Sequence, residues 1–277
     1  MRYPTEFGER IAYDSGYVKG VSMSVLVDVE YLDGIQIITI NRPEARNAIS
    51  VETAHQMSAA FDELDARDDI RIGILTGAGA TFSSGMDLKD FAQTRKRALV
   101  EGKGFGGLNE APPKKPLIAA VEGYAVAGGF EMVLACDLVV AANNAMFGLP
   151  EVKRGLVAGS GGLLRLPRQL PYHIAMEIIL TGDMLPAPRA HQYGLVNVLT
   201  DPGQALAEAI KLAQRICENG PLAVQTSKSV VNQGGDFAAD EMFDLQRPLI
   251  HHIFMSDDAK EGATAFAQKR KPVWQGK

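Results

Sequence analysis

Cysteine is scarce in this chain. Two occur in 277 residues, Cys136 and Cys217, far apart and outside any C-x-x-C pair. That excludes a disulfide-framed secreted scaffold and points to a reducing compartment, read here as the cytoplasm. Histidine is thin as well: five are scattered along the chain, and the one adjacent pair is His251 and His252. Neighbouring helix positions point in different directions, so the pair suits a helix surface and no metal site is expected. Positive charge is not in excess. A net charge of −5 argues against nucleic acid as the main partner. The RKRALVEGK stretch at 95–103 is too weakly basic to reverse that. Long apolar runs are missing too. The best candidate, around 124–150, is broken by Glu131 and Asp137, so no membrane span is expected. The opening MRYPTEFGERIAYDSGYVKG has no apolar h-region, and the final WQGK is not a peroxisomal address.

Several catalytic signatures are absent. No G-x-x-x-x-G-K-[ST] phosphate loop occurs. No G-x-S-x-G elbow occurs either, since Ala158 stands where Ser160 would need glycine. GKGFGG at 102–107 fits G-x-G-x-x-G, but it follows a basic helical stretch rather than a strand. GAGATF at 77–82 follows a strand but lacks the last glycine. Neither has the context of a dinucleotide fingerprint.

What is present is an ample core, with 46% hydrophobic residues. SVLVDVEYLDGIQIITINRP alternates apolar residues on both sides of Asp33-Gly34, which predicts a hairpin. Val51, Ala54, Met57, Phe61 and Leu64 recur at helical spacing. IRIGILTG and PLIAAVEGYA read as buried strands. A helix is expected from Leu88 and another from GGFEMVLACD, with two short strands in LVVAANNAMFGL. Residues 100–115 read as a mobile loop by composition. Beyond about residue 200 the pattern is helical. The alternation predicts an α/β fold, divided as an N-terminal extension (1–22), a core (23–200) and a helical C-terminal region (201–277).

Two loops carry chemistry. FSSGMDL and AVAGGFE each place small residues and glycine before a helix, where unpaired N–H groups and the positive dipole end collect. If the loops converge, those N–H groups form a hole for an oxygen that becomes negative. Otherwise the glycines simply make tight turns. Glu131 and Glu151 each lie in a mostly apolar setting. Two carboxylates in such settings raise the question of a chemical role. The plainer alternative is that Glu131 favours a helix start and Glu151 faces solvent beside Lys153 and Arg154. Asp137 reads as a structural turn or cap.

Taken together, NRPEARNAIS, FSSGMDLKDF, AVEGYAVAGGFEMVLACDLVVAANNAMFGLPEVKRGL and EGATAFAQKRKP resemble the enoyl-CoA hydratase/isomerase (crotonase) superfamily, from about residue 24 to the end. The resemblance implies a crotonase (ClpP-like) spiral of repeated ββα turns, two roughly perpendicular sheets wrapped by helices, and a helical C-terminal trimerisation region. It implies a homotrimer or dimer of trimers, working in fatty acid and lipid metabolism. It implies that the N–H groups of Met86 and Gly128 hold a thioester oxygen. It further implies that Glu131 acts as base on a water and that Glu151 gives a proton to C2. Ala45, Arg46, Asp87 and Leu88 would hold the CoA nucleotide, joined by Phe266 and Lys269 of a neighbouring subunit. No separate cofactor is implied, because CoA is part of the acyl-CoA thioester substrate. The expected reaction is reversible hydration of a 2-enoyl-CoA. Where the hydratase pattern has proline-glycine-alanine after the second acid, this chain has Val157-Ala158-Gly159-Ser160-Gly161. That resembles carnitinyl-CoA dehydratases and leaves a specialised dehydratase open. An enoyl-CoA isomerase, which needs one acid, and a non-catalytic acyl-CoA or RNA-binding relative are more distant readings.

Overall fold

A computed structural model describes residues 25–277. The expected extension at 1–22 lies outside the described residues. The chain opens with a hairpin, β1 (Val27–Leu32) and β2 (Ile35–Ile40), paired antiparallel across the predicted Asp33-Gly34 turn. Helix α1 (Val51–Ala66) follows, capped by the Ser50 hydroxyl accepting from the Thr53 N–H at 3.1 Å. Next come β3 (Ile72–Gly77) and α2 (Leu88–Thr94). A two-residue pair, β4 (Leu99–Val100) and β5 (Gly104–Phe105), leads to β6 (Leu117–Val121), β7 (Tyr124–Val126) and α3 (Gly128–Ala135).

The chain continues through β8 (Leu138–Ala142), β9 (Met146–Gly148) and a 3-10 turn at Pro150–Arg154. After that come α4 (Gly162–Gln169), α5 (Tyr172–Thr181), β10 (Leu185–Pro186), α6 (Ala187–Gln192) and β11 (Val198–Thr200). Four helices close it: α7 (Ala205–Cys217), α8 (Pro221–Gly234), α9 (Met242–Phe254) and α10 (Asp257–Ala267).

The main sheet has the order β1-β2-β3-β6-β8-β11, parallel except for the hairpin. Its inner strands β2, β3, β6 and β8 are buried on both faces, as near-continuous Ile/Leu/Val/Ala runs require, while β1 and β11 form the more exposed edges. Ile35, Ile37, Ile72, Ile74, Ile118 and Val140 form one core with Ala205, Ala209 and Ala213. Those alanines recur every helical turn, so α7 presents a flat stripe to the sheet. The opposite face, with Ile38, Ile40, Leu75, Leu117, Ala119 and Ala141, packs into the larger core with α1 and α3. A second, three-stranded sheet has the order β10-β9-β7.

The topology places the site. β2, β3 and β6 are neighbours in parallel, so their C-terminal ends release three loops at one edge. The loops after β2 and β3 carry NRPEARNAIS and FSSGMDL, and AVAGGFE comes one short strand after β6, across the end of β7 and the start of α3. β7 and β9 also run parallel, with Val126 opposite Gly148.

The 100–115 stretch departs from its reading as a loose loop. Phe105 and Leu108 are buried in the larger core, and Lys103 pairs with Asp62 and Ser58 of α1. Two apolar side chains anchor a segment whose glycines had suggested mobility.

Candidate active site

The two glycine loops converge. A Cβ built on Gly85, whose φ is +85°, would lie 2.9 Å from the Gly128 nitrogen and 3.0 Å from the Val126 carbonyl oxygen. No side chain fits there without pushing the loops apart, and the left-handed backbone also favours glycine. A Cβ on Gly128 would lie 2.5 Å from the Phe105 ring. The loops are sewn together as well: the Val126 N–H donates to the Ser83 carbonyl at 3.0 Å. The Ser83 hydroxyl donates to the Asn47 carbonyl at 2.8 Å and accepts from the Gly85 N–H at 3.2 Å. Met86 forms a bridge to Ile49 through its neighbours, which leaves its own N–H unused. Gly128 is the first residue of α3, where helical N–H groups have no internal acceptor. Among the described residues neither the Met86 nor the Gly128 N–H has a hydrogen-bond partner. Just before Gly128, Ala127 holds a positive φ of 52° with ψ −129°, a strained backbone for a non-glycine residue. Its N–H is pinned to the Gly148 carbonyl at 2.9 Å.

The two acids reach the same place by parallel routes. Glu131 follows β7 on the first turn of α3, and Glu151 follows β9 in the 3-10 turn. Their environments differ. Glu131 is 3% exposed, and its Oε1 accepts from the N–H groups of Ser160 at 2.7 Å and Gly162 at 2.9 Å. Burial pushes its carboxyl above the ordinary carboxylate range, and those two N–H groups and the charges of Arg97 and Arg165 oppose the rise. Glu151 has a buried Oε2 with no partner among the described residues. Burial, aided by the neighbouring Glu131 charge, pushes it up to about 7. Lys153 turns away to pair with Asp183 at 2.6 Å, so the solvent-facing alternative for Glu151 is not what the chain adopts. The two carboxyls thus sit in different surroundings, which lets them differ in proton affinity.

The remaining predicted residues scatter more widely. Ala45 and Arg46 lie in the loop after β2, where the Arg46 carbonyl accepts from the Ser84 N–H at 3.0 Å and the Arg46 side chain is exposed. Leu88 is exposed at the start of α2. Asp87 is less free than expected. Its Oδ1 caps α2, accepting from the Lys89 and Asp90 N–H groups, and its Oδ2 pairs with Arg42 at 2.8 Å. Burial raises its carboxyl, but the Asp90 N–H and Arg42 outweigh that and hold it low. Its side chain is therefore scaffold, and its backbone is engaged as well: the N–H donates to the Ile49 carbonyl at 2.9 Å and the carbonyl accepts from the Phe91 N–H at 3.0 Å. Phe266, at the end of α10, is 87% exposed, and Lys269 beyond it is exposed too. Within one chain neither joins the acids. Asp137 is structural, as expected: it accepts from the Leu117 N–H at 2.8 Å and from Lys228 at 2.6 Å. Ser160 contributes its backbone N–H to Glu131. Among the described residues no group of three or more His, Cys, Asp or Glu is arranged to hold a metal.

Sequence reading missed the residues that hold the loops. Arg42 also donates to the Ala48 carbonyl at 2.5 Å. Asn47, fully buried, donates from Nδ2 to the Ala78 and Thr81 carbonyls. Both stand inside NRPEARNAIS, so the signal was present. Polar residues on a motif can tie loops as well as touch ligands.

Comparison with known proteins agrees with this architecture. A family model described as enoyl-CoA hydratase/isomerase matches residues 30–277. An enoyl-CoA hydratase of Mycobacterium tuberculosis is 41% identical over 255 residues, covering 87% of this chain and 93% of that protein. A carnitinyl-CoA dehydratase of Escherichia coli O157:H7 is 42% identical over 249 residues, covering 87% and 94%. A crystal structure of an enoyl-CoA hydratase from Mycobacterium tuberculosis superposes with a TM-score of 0.89 at 55% identity, covering 92% of this chain and 100% of that one.

Proposed function

The chain belongs to the enoyl-CoA hydratase/isomerase family, and from that premise we infer that it is a hydro-lyase. It adds water reversibly across the C2=C3 bond of a 2-enoyl-CoA thioester to give a 3-hydroxyacyl-CoA. The observation that carries this reading is the unequal pair of acids beside two acceptor-free amides. The N–H groups of Met86 and Gly128 bind the thioester oxygen and stabilise the charge that gathers there. Glu131, oriented through Oε1, takes a proton from the water with its other oxygen as the water oxygen bonds to C3. The electron pair of the double bond moves toward the thioester, giving an enolate. Glu151, protonated because burial favours its neutral form, delivers a proton to C2 and collapses the enolate. Proton exchange with solvent resets both carboxyls. One acid suffices for isomerisation, so two argue for hydration.

Exposed Arg46 and Leu88, with Ala45 and Asp87 beside them, form the CoA nucleotide contact, completed by Phe266 and Lys269 of a second subunit. The apolar surface of the C-terminal helices supports self-association as a trimer or dimer of trimers: Phe243, Phe254, Met255 and Phe266 are each more than half exposed. Two unpaired thiols fit the cytoplasm, and a 2-enoyl-CoA substrate fits fatty acid metabolism. Among the described residues no helix is long and apolar enough to cross a membrane.

One observation favours a narrower reading. The loop 156–162 replaces a proline-containing stretch with small residues and exposes Leu156 and Val157. An acyl group with a polar decoration, as in a carnitinyl-type dehydratase, would use the same acids. Loss of the ultraviolet enoyl-thioester band across straight, branched and hydroxylated 2-enoyl-CoAs tests both readings. Turnover of plain crotonyl-CoA supports the general hydratase, and turnover of decorated substrates alone supports the dehydratase. No loss with any substrate contradicts both.

A further inference from the structure

The glycine run GKGFGG has no nucleotide role, yet the segment that contains it ends inside the site. Its last turn leads to Asn109, which is 2% exposed. Asn109 Nδ2 donates to the Ser160 carbonyl at 2.8 Å. The Ser160 N–H, together with that of Gly162, holds Glu131 Oε1. From the far side, Arg165 Nη2 donates to the Asn109 carbonyl at 2.6 Å. We propose that Asn109 is a positioning residue: by gripping the Ser160 carbonyl it fixes the 158–162 turn, and through that turn the orientation of Glu131.

Three features make this more than packing. Asn109 Oδ1 is buried with no partner among the described residues, a cost that an apolar residue of similar shape would avoid. The turn it holds is rich in glycine: Gly159 precedes Ser160, and after it come Gly161, the N-cap of α4, and Gly162, its first residue. Clearance at the far end is tight: a Cβ on Gly162 would lie 3.1 Å from Glu131 Oε1 and 3.0 Å from Leu149. A turn that drifts therefore drags the carboxylate. Among the described residues the Glu131 carboxyl has no other hydrogen-bond donor, so the turn sets where its oxygens point. Phe105, in the same segment, lies against Gly128, so one short stretch braces both the amide and the base.

This proposal rests on the hydration reading for its kinetic consequence but not for its structural one. The experiment uses the full chain with 13C-labelled glutamate carboxyls, the Glu131 resonance being assigned by its loss in Glu131→Gln. Asn109→Leu removes the donor while keeping the branched shape at larger volume, and Asn109→Ser removes its reach at smaller volume. In either folded variant the two N–H donors loosen, and the Glu131 titration midpoint moves up from wild type. On a 2-enoyl-CoA that the wild type hydrates, kcat falls on the order of tenfold to a hundredfold while KM stays within about twofold. An unchanged midpoint in a folded variant overturns the proposal. If both variants fail to fold, Asn109 serves the fold rather than the base, and the proposal falls. If the wild type hydrates nothing, the functional reading fails, while the titration still decides the latch.

Discussion

Val126 and Gly148 face each other in register on two parallel strands. Glu131 follows the first on a helix and Glu151 the second on a 3-10 turn. A pairing of two short strands thus brings together acids that lie well apart in sequence. Different local structures then give them different partners: two backbone N–H groups for one, none for the Oε2 of the other. On the proposed reading, that division sets the proton traffic.

Glu131→Gln and Glu151→Gln should each lower kcat for hydration by about a hundredfold to ten-thousandfold. Binding of a saturated acyl-CoA, followed by calorimetry, should change little. Near-wild-type turnover in either variant would remove that residue from its role.

The pH profile of hydration should fall on both sides of neutrality. Glu151 must carry a proton, so kcat should decline as pH rises past about 7. The acid limb belongs to Glu131, raised by burial and restrained by its N–H donors. In Glu151→Gln the residual rate should lose the alkaline limb. Its persistence would assign that limb to another group.

The same burial has a stability cost with a defined pH window. Below the ordinary value of 4.5, Glu151 is protonated in both folded and unfolded chains, and it costs nothing. As pH rises toward about 7, the unfolded chain ionises first and the folded state loses ground. Glu151→Gln should therefore be more stable than wild type by about 1–2 kcal/mol above pH 7, discounted for partial exposure, and not below pH 4. Denaturant melts at both pH values check this.

Gly128→Ala should destabilise the fold by about 1–3 kcal/mol and abolish most activity, because its methyl group meets the Phe105 ring. Adding Phe105→Leu should restore stability and part of the rate. If the double variant is no better than the single one, the clash is not the cause.

Lys269→Ala should raise KM for the thioester several-fold with kcat near normal, and light scattering should show a trimer or its dimer. A monomer with full activity would contradict the shared nucleotide site.

Much of the fold was legible because its strands are unambiguous. LIAAV is apolar throughout, IGILTG is so but for Thr76, and Asp33-Gly34 leaves little choice of turn. The 100–115 stretch misled because glycine signals a loop whether or not Phe105 and Leu108 bury themselves on either side. Glu131 and Glu151 could be picked out as unusual, but their pairing follows from the β7–β9 register, which sequence spacing does not encode. Asn109 was invisible for the same reason: its partners lie on the 158–162 turn and on α4, and a lone asparagine in a loop carries no signal of them.

The most direct test is a crystal structure with a saturated acyl-CoA bound. The account predicts the thioester oxygen at about 2.7–3.1 Å from both the Met86 and Gly128 nitrogens, and a single water touching the carboxyls of Glu131 and Glu151. A thioester oxygen bound elsewhere, or carboxyls with no shared water, would contradict it.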